Sequence, residues 1–141
     1  LPPLIVLDTG VVVRALTGDP QSFSSRVVRA VATGEVRLAL SDDFLSELVR
    51  VIRYPHVERC IGSAGMAFEI ALDLALMGHL YRTRRFDWPS IEDPNDGWIL
   101  DLAWASEADY IVSRDPHLTD AEMPFPIEVL EPQQLLERLA R

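Results

Sequence analysis

The sequence predicts an α/β fold, a three-layer α/β/α sandwich with a mostly parallel central sheet. Short runs that are apolar at almost every position mark strands buried on both faces, as parallel strands are. Between them lie segments with helical apolar spacing, opened by Ser, Asp or Pro and closed by Gly or Pro. Strand and helix alternate along the chain, the order that builds a parallel sheet covered by helices. At 141 residues the chain is expected to form a single domain with a self-sufficient core.

Residues 4–7 read as the first strand, ending in Asp8, and residues 11–16 as a helix stopped by Thr17-Gly18-Asp19-Pro20. Ser22 or Ser24 can cap a second helix to about Ala32, closed by Gly34, and residues 36–40 form a second strand. Ser41 caps the next helix, whose first turn holds Asp42 and Asp43, favourable against the helix dipole. Its apolar stripe is Phe44, Leu45, Leu48, Val49 and Ile52; Glu47 lies among them and shares a face with Asp43. Tyr54-Pro55 ends it, a turn through Cys60-Ile61-Gly62 follows, and Ser63 caps a long helix to Met77. That helix is apolar nearly all round except for Glu69 and Asp73, which predicts deep burial or cover by a partner subunit.

Residues 79–83 suggest an edge strand. Asp93 then stands at an N-cap, Pro94 at the first helical position and Asp96 at the third, opening a helix through Trp98-Ile99-Leu100-Asp101. Residues 108–113 form a strand leading to Arg114-Asp115, and Asp115-Pro116-His117-Leu118 starts a turn or short helix. Residues 126–130 are the last strand, and Pro132 opens a C-terminal helix ending near Ala140.

Hydrophobic residues make up 48% and charged residues 25%, as in globular proteins. No apolar run is long enough to span a membrane. The opening LPPLIVLDTG lacks the basic flank and apolar length of a signal peptide, so a cytoplasmic protein is expected. The lone Cys60 rules out an internal disulfide and cannot by itself make a zinc site. Net charge is −9, and all 13 basic side chains are Arg. The absence of Lys removes Schiff-base chemistry and the P-loop lysine. It also removes receiver domains and phosphatases of the haloacid dehalogenase type, which additionally want an acid where Gly10 stands. An acidic total disfavours a passive nucleic-acid binder but suits an enzyme whose carboxylates hold a cation.

Three acids fall at equivalent places. Asp8 and Asp115 follow strands, and Asp96 begins the helix before the later strand; Glu47 points toward the same edge. Ligands of open parallel sheets bind at the carboxyl ends of strands. Each like-charge pair at about 4 Å costs on the order of 4 kcal/mol at an effective dielectric near 20, so such a cluster takes up protons or a cation. Oxygen ligands without His or Cys select hard ions, Mg²⁺ or Mn²⁺. Singly, each acid has an ordinary reading. Asp8 can cap a helix, Asp115 can serve a turn, and Glu47 can pair with Arg50. Asp42, Asp43, Asp93 and Asp101 are assigned to caps and solvated faces. His56, His79 and His117 are read as structural or surface residues, and Trp98 and Trp104 as core.

LIVLDTGVVVRAL, SDDFLSELVRVIRYP, EDPNDGWILDLAWASEADYIVSRDPHL and PIEVLEPQQLLERL, in this order, resemble the PIN-domain ribonucleases, in particular the VapC-like toxins of toxin–antitoxin systems. The resemblance spans essentially the whole chain and is weakest over residues 57–88. It implies a PIN-like fold, a metal site of Asp8, Glu47, Asp96 and Asp115, and supporting groups in Thr9, Ser113 and Asp93. It implies hydrolysis of single-stranded RNA with Mg²⁺ or Mn²⁺, leaving 5′-phosphate and 3′-hydroxyl ends. Arg14, Arg82, Arg84 and Arg85 are candidate phosphate contacts, the last three beside Phe86 and Trp88. A cognate antitoxin and a homodimer are the implied partners. Gly10 departs from the family, which usually has a polar side chain there, and Ser113-Arg114-Asp115 replaces the common Thr-Gly-Asp. The alternative reading is an inactive PIN-fold module that binds protein or RNA.

Overall fold

A computed structural model describes the chain apart from Gly62, Ser63, Ser90, Glu92, Pro94 and Asn95, and for residues 64–67 the backbone alone. Its strands are β1 (Leu4–Leu7), β2 (Arg37–Leu40), β3 (His79–Leu80), β4 (Tyr110–Val112) and β5 (Glu128–Leu130). Its helices are α1 (Thr9–Thr17), α2 (Phe23–Ala32), α3 (Asp42–Ile52), α4 (Pro55–Ile61), α5 (Ala64–Met77), α6 (Gly97–Ser106), α7 (Pro116–Thr119) and α8 (Pro132–Leu139).

The strands form one sheet in the order β3-β2-β1-β4-β5, every pairing parallel. β1 is central because all four of its side chains are apolar and fully buried, so both of its edges and both of its faces can be covered. It pairs with β2 through Leu4 and Arg37, and with β4 through Ile5–Tyr110, Val6–Ile111 and Leu7–Val112. From β1 the chain winds outward through β2 to β3, then crosses back to β4 and β5 on the other side. Right-handed crossovers therefore put α6, which contacts β1, β2 and β4, on the face opposite the earlier helices. The result is the three-layer α/β/α sandwich, PIN-like in form. The reversal of strand order lies between β1 and β4, where parallel sheets open a crevice.

Local chemistry fixes the helix starts. Ser22 Oγ accepts from Ser25 N at 3.2 Å to cap α2, and Ser41 Oγ accepts from Phe44 N at 3.1 Å to cap α3. α6 ends with Glu107 in the left-handed region; Glu107 N reaches Trp104 O at 3.4 Å and Ala108 N reaches Ala103 O at 3.3 Å, a Schellman ending without glycine.

Several expectations need correction. Residues 55–61 are the helix α4 and not a turn, because Pro55 suits a first helical turn as well as it ends one. Asp96 precedes α6 and is not its third residue: Asp96 N is bonded to Asp93 O at 3.0 Å in a turn, and helical pairing begins at Gly97. The expected roles of Pro94 in that start and of Ser63 as a cap lie outside the described residues. Asp101 is not on a solvated face; it is only 4% exposed. Trp98 is buried, whereas Trp104 is 53% exposed and so is not core. α5 is neither deeply buried nor covered: Ala71 and Leu74 pack inward while Phe68, Leu72 and Leu76 stand out in a one-turn-spaced stripe. Among the described residues no helix is long and apolar enough to cross a membrane.

Candidate active site

The chain leaves β1 at Asp8 and β4 at Ser113, side by side, because the two strands pair in register up to Leu7–Val112. Asp8 N continues the ladder to Val112 O at 3.0 Å. The buried Ser113 hydroxyl links both acids: it donates to Asp8 Oδ2 at 2.7 Å and accepts from Asp115 N at 3.0 Å. Its side-chain bond therefore goes to the first acid of the sequence, while the last acid is held through its backbone. Asp115 in turn caps α7, its Oδ1 accepting from His117 N at 3.0 Å, and the same oxygen lies 3.2 Å from His117 Nδ1.

Burial pushes the Asp8 carboxyl above the ordinary carboxylate range, and the charge of Asp115 adds to it, against the pull of Ser113 and the Gly10 and Thr9 N–H groups. Asp96 is raised as well, first by burial, then by the charges of Asp93, Asp8, Asp115 and Glu47. Asp8, Asp96 and Asp115 thus share one crevice and repel one another, with Asp93 beside them. Thr9 is buried at the start of α1.

Glu47 stands at the rim on α3, which is held against α6 by the Phe44 and Trp98 rings at 5.5 Å. It is engaged by Arg50, whose Nε meets Oε2 at 3.0 Å and Nη2 meets Oε1 at 2.5 Å, and Arg50 also reaches the Tyr54 hydroxyl. The donors suit a hard divalent cation: all are carboxylate oxygens, and the like charge raising Asp96 is the condition a cation relieves. Among the described residues no three carboxylate, imidazole or thiol groups close around one point. Closing the set requires Glu47 to leave Arg50.

Beside the acids opens a cleft of about 570 Å³. Glu47, Arg50, Arg85 and Phe86 are on its walls, and Gly97 joins it to Asp96. Of the other expected phosphate contacts, Arg84 lies 6.0 Å over the Phe86 ring, Arg82 is exposed outside the cleft, and Arg14 lines a separate pocket. Sequence reasoning missed Asp101. Its Oδ1 accepts from Phe86 N at 3.1 Å and from Trp88 Nε1 at 2.8 Å, fixing the loop with Arg84, Arg85 and Phe86 onto α6. The available signal was an acid in a helix otherwise apolar on every side.

Comparison with known proteins follows from this geometry. The family profile described as PIN domain matches residues 4–117. Among solved structures, the crystal structure of FitAcB from Neisseria gonorrhoeae superposes with a TM-score of 0.54 at 18% identity. The match covers 92% of this chain and 98% of that one, a likeness of fold. No curated protein matches the sequence.

Proposed function

This chain belongs to the PIN domain family, and from that premise we propose that it is a metal-dependent endoribonuclease of the VapC-like kind, the toxin of a toxin–antitoxin pair. The observation that carries the reading is the crevice between β1 and β4, where Asp8, Asp96 and Asp115 raise one another's pKa with no basic side chain at their centre. Bound there, Mg²⁺ or Mn²⁺ would supply a water of lowered pKa and neutralise charge on the scissile phosphate.

The rest falls to this chain's own side chains. Asp8, Asp96 and Asp115 hold the cation, and Ser113 fixes the Asp8 carboxylate for that task. Glu47, once released from Arg50, completes the set or holds the attacking water. Freed in the same step, Arg50 faces the cleft with Arg85, where both meet backbone phosphates. Phe86, exposed on the cleft wall, offers a stacking surface to an unpaired base, which favours single-stranded RNA. By family resemblance the products carry 5′-phosphate and 3′-hydroxyl ends. The exposed stripe of Phe68, Leu72 and Leu76, continued by Leu80, supports a homodimer. Light scattering at twice the 15.8 kDa chain mass would support it, and the monomer mass would remove it.

Two observations favour a second reading, an inactive PIN-fold binder: the Glu47–Arg50 ion pair and the absence of a polar side chain at Gly10. Calorimetric titration with Mn²⁺ separates the two. The nuclease reading requires binding in the micromolar to millimolar range that an Asp8→Asn, Asp96→Asn double variant loses. Identical uptake by both proteins would refute it.

A further inference from the structure

On the other flank of the acids, a pocket of about 260 Å³ lies where the end of α1 meets the starts of α2 and α8. Its polar wall comprises Arg14, Ser22, Ser24, Arg114, Glu131 and Gln133. Arg14 and Arg114 are exposed and, among the described residues, their side chains have no carboxylate or hydrogen-bond partner. That sets them apart from Arg50 and Arg138, which are paired with Glu47 and Glu128. Glu131, the one acid on the wall, is exposed at the start of α8, where its N–H donates to Gln134 Oε1 at 2.8 Å.

The decisive group is Ser24. It is only 3% exposed and lines the pocket, yet among the described residues its hydroxyl has no hydrogen-bond partner. A buried donor left without a partner is costly, and the pocket is the one direction in which it can find one. Around it stand two unpaired guanidiniums and the N-terminal ends of α2 and α8, of ten and eight residues. Guanidinium forks, a hydroxyl and helix N-termini are together the chemistry that receives a phosphate.

We propose that this pocket binds a phosphate group, and that in the RNA complex it takes a backbone phosphate flanking the scissile bond. Arg114 lies between Ser113 and Asp115, so the pocket adjoins the acids directly. A strand crossing the crevice would have Arg50 and Arg85 on one side and Arg14 and Arg114 on the other. The RNA part rests on the ribonuclease reading; the phosphate part rests on the pocket alone.

The test measures binding by the full chain in chelator, so that nothing is cut. The probes are a fluorescent single-stranded RNA, read by anisotropy, and inorganic phosphate, read by the amide resonance of Ser24. An Arg14→Gln, Arg114→Gln double variant should bind the RNA about tenfold more weakly. Its salt slope should fall by about 1.4, at roughly 0.7 per phosphate contact on a single strand. Ser24→Asp should weaken binding in the same way while keeping the fold, since an acid suits the second position of a helix. If inorganic phosphate moves the Ser24 resonance, the pocket takes a free phosphate too; if only RNA moves it, the ligand is a phosphodiester within the chain. Unchanged RNA affinity and salt slope in both variants would overturn the proposal. A protein that binds phosphate here yet cuts no RNA would sink the ribonuclease reading and leave the pocket standing.

Discussion

Ser113 does at one atom what the acidic site needs from its scaffold. Its hydroxyl holds the carboxylate that ends β1 and the backbone that carries the acid after β4. The acids it organises are destabilising when ionised without a cation. Asp8 and Asp96 have folded-state pKa values above their unfolded ones. Their contribution to stability is therefore full below the unfolded pKa and is lost as pH rises through the folded pKa. In chelator, Asp96→Asn should raise the Tm over wild type at about pH 7 and leave it unchanged near pH 4, where the wild-type acid is protonated. A variant that melts lower than wild type at neutral pH would contradict the repulsion.

Gly10 tests a different residue-scale point. It is the second residue of α1, and a Cβ built there meets nothing within 4 Å. Gly10→Asn should fit, stabilise α1 by about 0.3 kcal/mol through helix propensity, and tighten Mn²⁺ binding by steadying the acids. Weaker calorimetric Mn²⁺ binding by the folded variant would count against that role.

At the scale of elements, α6 does two jobs. Its start brings Asp96 to the crevice, and one turn later Asp101 holds the loop before it. Replacing Asp101 by Ala leaves the Phe86 and Trp88 N–H groups without their acceptor. The expected cost is about 2 kcal/mol, as for hydrogen bonds to a charged group. The variant should show a raised KM for RNA and unchanged Mn²⁺ affinity, because it loosens the loop bearing Arg85 and spares the acids. Denaturant unfolding with an unchanged midpoint would show the latch to be dispensable. The sequence signal for Asp101 was present but ambiguous: one acid per turn on an apolar helix reads as well for a solvated edge. Helix caps were plainer. Ser22 and Ser41 accept the bonds that their spacing predicted, whereas the α6 boundary moved because a β-turn from Asp93 to Asp96 competes with helical pairing.

For the whole molecule, the buried strands 4–7 and 36–40 were legible because apolar runs have no other way to be satisfied in a parallel sheet. Their alternation with helices was enough to give the layers. Sheet order, the pairing of Asp8 with Ser113 and the partnership of Glu47 with Arg50 were not legible without the family pattern. Each depends on which elements become neighbours, and spacing along a chain carries that only weakly. The fate of α5 was hidden for a related reason, since an apolar face looks the same whether it meets the core or open surface. A net charge of −9 concentrated partly in one crevice, with Arg side chains on both flanks, describes a molecule arranged to draw a polyanion across a cation. Cleavage of mixed-sequence RNA by wild type and Asp96→Asn, with and without Mn²⁺, tests that account most directly. It predicts cleavage by wild type that requires the ion and falls by at least ~10²-fold in the variant, the scale of losing a group that stabilises transition-state charge. Cutting that persists in chelator, or that the variant carries out as fast as wild type, would contradict it.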